Sequence, residues 1–278
     1  MLDEDNINRL IESLKDEDPH LRIFTINSIV DNKDREEAIP ILIRLLYDEE
    51  SSVRSRAAWV LGKIGSLEAM NELLELITDQ NKDVRKSVIR ALGDIQAFDA
   101  IPDIVKSLED EDWEVRAETA VVLEYFGWVP STRKEEILNL IGKEKWEELL
   151  KIENLEIQQI LVFLQDNDKD IRAKSAWILG EIRSSKAIQP LFDLFMTDSN
   201  QEAKESSANA LSKIGGKEVV ELLVVALHDQ DWYIRKTAAS ALGNLQDPSS
   251  KEPLKSLLED DNTFVKKTAE EALKKFQE

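Results

Sequence analysis

The sequence predicts an all-α solenoid of stacked helical hairpins, and three observations carry that prediction. A basic residue preceded by an apolar one recurs at Arg22, Arg54, Arg85, Arg116, Arg172, Lys204, Arg235 and Lys266, at spacings of 32, 31, 31, 56, 32, 31 and 31 residues. An aspartate stands six residues before each of them, at Asp16, Asp48, Asp79, Asp110, Asp166, Asp198, Asp229 and Asp260. Apolar residues after each anchor recur at helical spacing. A period near 31 matches two helices and two short turns, and a hairpin of that size buries its apolar face only by stacking on its neighbours.

With each anchor numbered zero, the second helix of a repeat (helix B) follows it, as in Val53 to Gly65. Position −1 is apolar throughout, +7 is Leu or Ile, and +10 is Ile, Leu or Phe in all repeats but the first. At 100° per residue, positions −1, +3, +4, +6, +7 and +10 share one broad face, so helix B is buried on one side. Small residues crowd that face, as in Ala57, Ala58 and Gly62 or Ala238, Ala239 and Gly243. Glycine inside a helix costs about 1 kcal/mol against alanine, so its recurrence at +8 (Gly62, Gly93, Gly180, Gly243) implies close helix packing. Gly65, Gly127 and Gly215 at +11 suit a left-handed helix cap.

The first helix of each pair (helix A) precedes the acidic turn, as in Ala38 to Leu46 or Ala187 to Phe195. Pro40, Pro102 and Pro190 share position −14, in the first turn of helix A, where a missing amide donor is tolerated. In order, the repeats are expected at 1–33, 34–65, 66–96 and 97–127, then 153–184, 185–215, 216–246 and 247–278, within one solenoid over 1–278. The irregular gap holds an insert at 128–152. Thr132 with Glu135 fits a capping box, and Ile137, Leu138, Leu140 and Ile141 have helical spacing, so one or two extra helices are expected there. Trp128 and Trp146 are read as packing the insert onto the stack, the alternative being a mobile flap or partner-contacting lobe. In the last repeat Glu270 and Lys274 replace small residues at +4 and +8, the polar cap that the end of a stack needs.

The Asp and Arg pair reads as structural: an arginine at the edge of the buried face can reach acidic turn groups of its own repeat or the next and set repeat register. Trp59 and Trp177 both sit at +5, and Trp113 and Trp232 both at −3. Repeats two to four copied as five to seven would give that arrangement, and so would parallel use of Trp at a favourable position.

The pattern D-x5-[R/K]-x3-A-x2-L-G-x-I resembles the HEAT-like repeats named after phycobilisome bilin lyases, and the resemblance covers nearly the whole chain. It implies a right-handed α-α superhelix of the HEAT/armadillo type, with A helices outside and B helices lining the concave face. Such repeats serve as scaffolds, as lyase-like or chaperone-like subunits and occasionally as enzymes.

Composition narrows the function. Lys plus Arg total 36 against 56 Asp plus Glu, a net charge of −20 that repels phosphate backbones and anionic lipid, so neither nucleic acid nor membrane is expected as a partner. There is no cysteine, which removes thiolate metal sites and Cys nucleophiles. The chain has only two histidines, His20 and His228, followed by Leu21 and Asp229 rather than the glutamates that repeated His-Glu iron ligands require. No catalytic set, cofactor-binding loop or metal site is expected. The start Met1-Leu2-Asp3-Glu4-Asp5 has no basic or apolar leader, and a cytoplasmic location is expected.

On helix B, +5 is the position most opposed to the buried face, flanked by +1, +2 and +9. Trp59, Arg90, Val121 and Trp177 stand at +5, Tyr125 at +9 and Lys86 at +1. Exposed Trp, Tyr and Arg are enriched in binding hot spots. Across these positions nine bases face six acids, Asp31 among the acids, which makes the face mildly positive. The expected function is that of a non-catalytic, monomeric interaction scaffold. Its protein or peptide partner would lie in the concave groove around Trp59, Lys86, Arg90, Val121, Tyr125 and Trp177. The alternative is a lyase-like or chaperone-like subunit that modifies or assembles a bound protein.

Overall fold

A computed structural model describes residues 12–30 and 35–276, which are helical with no strand among them. Met1–Asp5 and Asp31 lie outside the described residues. The B helices are α1 (Pro19–Val30), α3 (Ser51–Ile64), α5 (Lys82–Asp94), α7 (Trp113–Tyr125), α11 (Lys169–Ile182), α13 (Gln201–Ile214), α15 (Trp232–Leu245) and α17 (Thr263–Lys274). The A helices are α2 (Ile39–Leu45), α4 (Met70–Glu75), α6 (Ile101–Lys106), α10 (Gln158–Leu161), α12 (Ile188–Thr197), α14 (Lys217–Ala226) and α16 (Lys251–Ser256). The insert contributes α8 (Arg133–Gly142) and α9 (Trp146–Leu149). Contacts group the chain into two units, residues 1–145 and 146–278.

Within the first unit α1, α3, α5 and α7 pack side by side in chain order, and α8 packs on α7. Within the second, α11, α13, α15 and α17 do the same. The core is the small-residue face of these helices: Val53, Ala57, Ala58 and Leu61 on α3, and Ile234, Ala238, Ala239 and Leu242 on α15, are buried. Burial of large aliphatic side chains, each giving about 1.5–3 kcal/mol, drives the stacking.

The +8 glycines set how closely B helices approach. A Cβ on Gly62 would lie 2.8 Å from the Ala91 Cα, and one on Gly180 would lie 2.7 Å from the Ala210 Cα. On Gly243 it would lie 2.6 Å from the Ala272 Cβ. In each case the partner is position +6 of the next B helix, so a +8 glycine and a +6 alanine form one contact unit.

Every turn between A and B is built around the aspartate at −6. Its Oδ1 accepts the backbone N–H two residues on, as in Asp48 from Glu50 (2.9 Å), Asp79 from Asn81 (2.8 Å) and Asp198 from Asn200 (2.7 Å). The residue at −4 then caps helix B: the side chains of Asn81, Asp112, Asp168, Asn200, Asp231 and Asn262 accept N–H groups of the first turn. The anchor arginine completes the turn. Arg54 Nη1 donates to the Asp48 and Glu49 carbonyls of its own turn, while its Nε and Nη2 clasp Asp79 of the next repeat at 2.9 and 3.0 Å. Arg85 clasps Asp110, Arg172 clasps Asp198 and Arg235 clasps Asp260 in the same way, and Arg22 reaches Asp48. Burial alone would raise the Asp198 carboxyl, but the hydrogen bonds from Arg172 and the Asn200 N–H, with the Arg172 charge, hold it below the usual carboxylate range. The ladder serves both repeats at once, which is why Asp and Arg recur together.

Pro40 and Pro102 occupy the first turn of their A helices, each after a single 3-10 turn. Gly65, Gly127 and Gly215 have φ of +85°, +67° and +69°, and the same +11 position holds positive φ at Gln96, Arg183 and Gln246. In the insert, Thr132 and Glu135 form the capping box of α8. Trp146 is buried, and its helix α9 packs on α11. At the far end, Glu270 and Lys274 are exposed.

Candidate partner-binding face

Helix B is buried by its −1, +3, +4, +6 and +7 positions, which leaves +5 uncovered in every repeat: Asn27, Trp59, Arg90, Val121, Trp177, Asn209, Ser240 and Glu271 are all exposed or half-buried. In the first unit this face collects five of the six sequence-predicted residues. Trp59 stands on α3, Lys86 and Arg90 one turn apart on α5, and Val121 and Tyr125 one turn apart on α7. Val121 and Tyr125 are 59% and 63% exposed, large apolar surface with no covering element. Trp177 stands at the equivalent position of α11 in the second unit. Both tryptophans are half-buried rather than fully exposed. The reason at Trp59 is its neighbour one turn back: the Arg56 guanidinium lies 3.9 Å from the ring centroid, a cation–π stack that covers one face of the indole.

The charges on this face are mostly engaged with one another. Arg90 forks onto Glu118 of α7, Lys86 bonds Glu114, and Lys63 bonds Asp94 at 2.9 Å. In the second unit Lys213 pairs with Glu181, and Lys236 with Glu205 at 3.5 Å. The hydrogen bond that Lys86 donates to Glu114 raises its ammonium, and those that Arg90 donates to Glu118 raise its guanidinium, so both stay fully charged at neutral pH. A mildly positive face by residue count is therefore closer to a neutral, cross-linked one. The rungs run between adjacent B helices and stiffen the surface.

The structure adds residues that the B-helix positions alone did not reveal. Phe98, in the turn before α6 and 53% exposed, lies 4.8 Å from the Phe126 ring, which in turn lies 5.9 Å from Tyr125. Gln96 donates to the Tyr125 hydroxyl at 3.2 Å. Together they form an aromatic cluster where α5 and α7 end. Arg56 was legible as a base three residues before a tryptophan, a spacing that puts both on one helix face. Phe98 carried no such signal, because its turn belongs to the other half of the hairpin. Among the described residues no group of three or more metal-ligating side chains occurs, and no helix is long and apolar enough to cross a membrane.

A cross-linked polar lattice with apolar side chains standing out of it is what these successive B helices present to solvent. Comparison with known families settles the architecture: the family described as HEAT repeats matches residues 7–81, 70–136, 157–224 and 196–274. The chain is a HEAT-repeat protein. A crystal structure of importin beta is similar at 14% identity with a TM-score of 0.58, covering 98% of this chain and 48% of that one, and it bears out the HEAT solenoid fold. The E. coli protein YibA matches at 20% identity and a TM-score of 0.42, over 96% of this chain and 92% of its own. Human deoxyhypusine hydroxylase, solved with glycerol, matches at 17% identity and a TM-score of 0.40, over 99% and 96%. The search of curated proteins gives no match.

Proposed function

We propose that this HEAT-repeat protein is a non-catalytic interaction scaffold, cytoplasmic and monomeric, whose eight repeats form one continuous solenoid over residues 1–278. In this reading it belongs with the phycobilisome-lyase-like branch of the repeats and holds a protein or peptide partner in the groove lined by its B helices. Trp59, Lys86, Arg90, Val121, Tyr125 and Trp177 contact that partner.

The observation that carries this reading is the exposure of Val121 and Tyr125 on α7, beside the stacked Trp59 and the braced Arg90. Apolar side chains placed outward on a helix otherwise buried by its small residues cost solubility and add nothing to the core, and Tyr and Trp there offer large contact area for little entropy. HEAT repeats give such side chains fixed spacing, because each B helix is locked to the next.

The test is affinity capture with the parent protein and a Val121→Asp, Tyr125→Ala variant, read by quantitative mass spectrometry. Both side chains point to solvent, so circular dichroism should show equal helicity. A protein held by the parent and lost by the variant is the expected result. Equal capture by both overturns the assignment of the face.

A further inference from the structure

Between α1, α3 and α5 the first unit carries an open cleft of about 420 Å³, lined among others by Ser51, Ser52, Ser55, Arg56, Trp59 and Lys86. Its walls are three successive B helices. Four of those six side chains end in a hydroxyl or an ammonium, so polar groups reach into the cleft on a face that otherwise presents Val121 and Tyr125.

Arg56 is its distinctive group. Its Nε donates to Asn27 Oδ1 on α1, and its guanidinium is held against the Trp59 ring. Among the described residues Nη1 and Nη2 have no acceptor, and no carboxylate lies within ion-pair distance. Five other bases of this face are placed differently. Lys63, Lys86, Arg90, Lys213 and Lys236 each have a carboxylate partner on a neighbouring B helix. Burial lowers the Arg56 pKa with no anion to offset it, whereas its carboxylate partners raise that of Arg90. A half-buried cation that has lost water and gained no anion is unfavourable in isolation. Here the Asn27 bond and the Trp59 stack fix the fork in one orientation, so little conformational freedom is left to lose when an anion docks.

The local charge identifies the anion. Lys86 is neutralised by Glu114 and lies 3.6 Å from Asp83, which also lines the cleft. Arg56 is the cleft's one cation without an ion pair among the described residues. The free Nη pair matches the two oxygens of a carboxylate, while a dianionic phosphate would keep an unneutralised charge in a chain of net charge −20. A base also stands one turn before the +5 tryptophan of the second unit. Lys174 sits one turn before Trp177, is exposed, and has no carboxylate within ion-pair distance among the described residues. The bases one turn before the two +5 tryptophans, Arg56 and Lys174, thus share the lack of an ion pair among the described residues, whereas Lys63, also over the Trp59 ring, is paired with Asp94.

We infer that the cleft at Arg56 and Trp59 binds the carboxylate of an Asp or Glu side chain in a partner peptide. The inference rests on the reading of the B-helix face as the partner-binding surface, and it adds the chemistry of the partner: an acidic residue seated on the Arg56 fork. The hydroxyls of Ser51 and Ser52 also line the cleft and can donate to a second oxygen or to the peptide backbone.

Random dodecapeptides displayed on phage, selected on the parent protein and measured as synthetic peptides by fluorescence polarisation, test this directly. The expected result is enrichment of peptides with one fixed Asp or Glu. Their affinity should fall about tenfold or more when that residue is changed to its amide, or when the protein carries Arg56→Gln. Arg56→Lys, which keeps the charge and loses the fork, should fall between. Equal melting curves for the three proteins establish that they are folded, and Trp59→Ala identifies peptides seated on this face. Peptides lost with Trp59→Ala but indifferent to Arg56→Gln would overturn the inference and leave the binding face standing. Tighter binding when the acidic residue is replaced by phosphoserine would overturn the carboxylate assignment. If no selected peptide depends on Trp59, the inference and the face fall together.

Discussion

The contact between +8 glycines and +6 alanines makes a prediction in which two effects of opposite sign compete. Glycine inside helix α11 costs about 1 kcal/mol against alanine through backbone entropy, so Gly180→Ala at an uncrowded site would stabilise the protein by about that amount. The site is crowded. The new Cβ would stand 2.7 Å from the Ala210 Cα and 2.8 Å from its Cβ, where ordinary contacts begin at 3.4 Å, so α11 and α13 must separate by about 0.7 Å. The obstacle is backbone on one side and backbone on the other, and no side chain can rotate away. Overpacking of a close-packed interface typically costs 1–3 kcal/mol, and here it also loosens the flanking contacts of Ala176 and Ala208, both buried. The steric term wins, and Gly180→Ala should destabilise by about 1–2 kcal/mol. Urea unfolding followed by circular dichroism at 222 nm measures it. The control is Ser212→Ala at the same +8 position of α13, where a Cβ is already accommodated and the serine hydroxyl bonds only its own Asn209 carbonyl. That change should lie within about 0.5 kcal/mol of the parent. A higher urea midpoint for Gly180→Ala would refute the claim that the glycines set the spacing between B helices.

Three further outcomes follow from the ladder and the caps. Asp198→Ala removes both the clasp on Arg172 and the acceptor for the Asn200 N–H, leaving a largely buried guanidinium without its anion, and should cost about 3 kcal/mol, while Asp198→Asn, which keeps an acceptor, should cost roughly half; urea midpoints compare them. Asp260 is held at about 2, first by the Arg235 hydrogen bonds, against an ordinary value of 3.8. A carboxyl lowered in the folded state contributes its full stability above about pH 4 and loses it as the pH falls towards 2. The urea midpoint of the parent should therefore drop more steeply over that window than that of Asp260→Asn. Arg183 holds φ of +55° at an exposed helix end, where glycine avoids the Cβ clash of about 1 kcal/mol at the expense of some unfolded-state entropy. Arg183→Gly should raise the melting midpoint by the equivalent of about 0.5 kcal/mol, and a lower midpoint would show that the cap carries no strain.

Much of this molecule is legible without coordinates. A strict period, an invariant aspartate and a 3.6-residue apolar pattern place eight B helices, their buried faces and their caps, because those properties depend on residues within one turn of each other. Gly65, Gly127 and Gly215 could be read as left-handed caps from glycine alone. Gln96, Arg183 and Gln246 could not, since position in the repeat, and not residue type, imposes their backbone conformation.

The candidate face divides along the same line. Its location at +5 and +9, with Trp59, Arg90, Val121, Trp177 and Tyr125, follows from helical geometry that the sequence contains. What each side chain does there depends on the neighbouring helix, set by how closely a +8 glycine lets that helix approach. Only the tertiary structure shows that Arg90 is spent on Glu118, that Lys86 is neutralised by Glu114, and that Phe98 joins Tyr125 and Phe126 from another turn. Only the tertiary structure, likewise, leaves Arg56 stacked on Trp59 with two donors that find no acceptor among the described residues. Periodicity fixes which residues share a face. Which charges on that face cancel is decided by distances of a few ångströms between separate helices, and a one-dimensional pattern does not carry those distances.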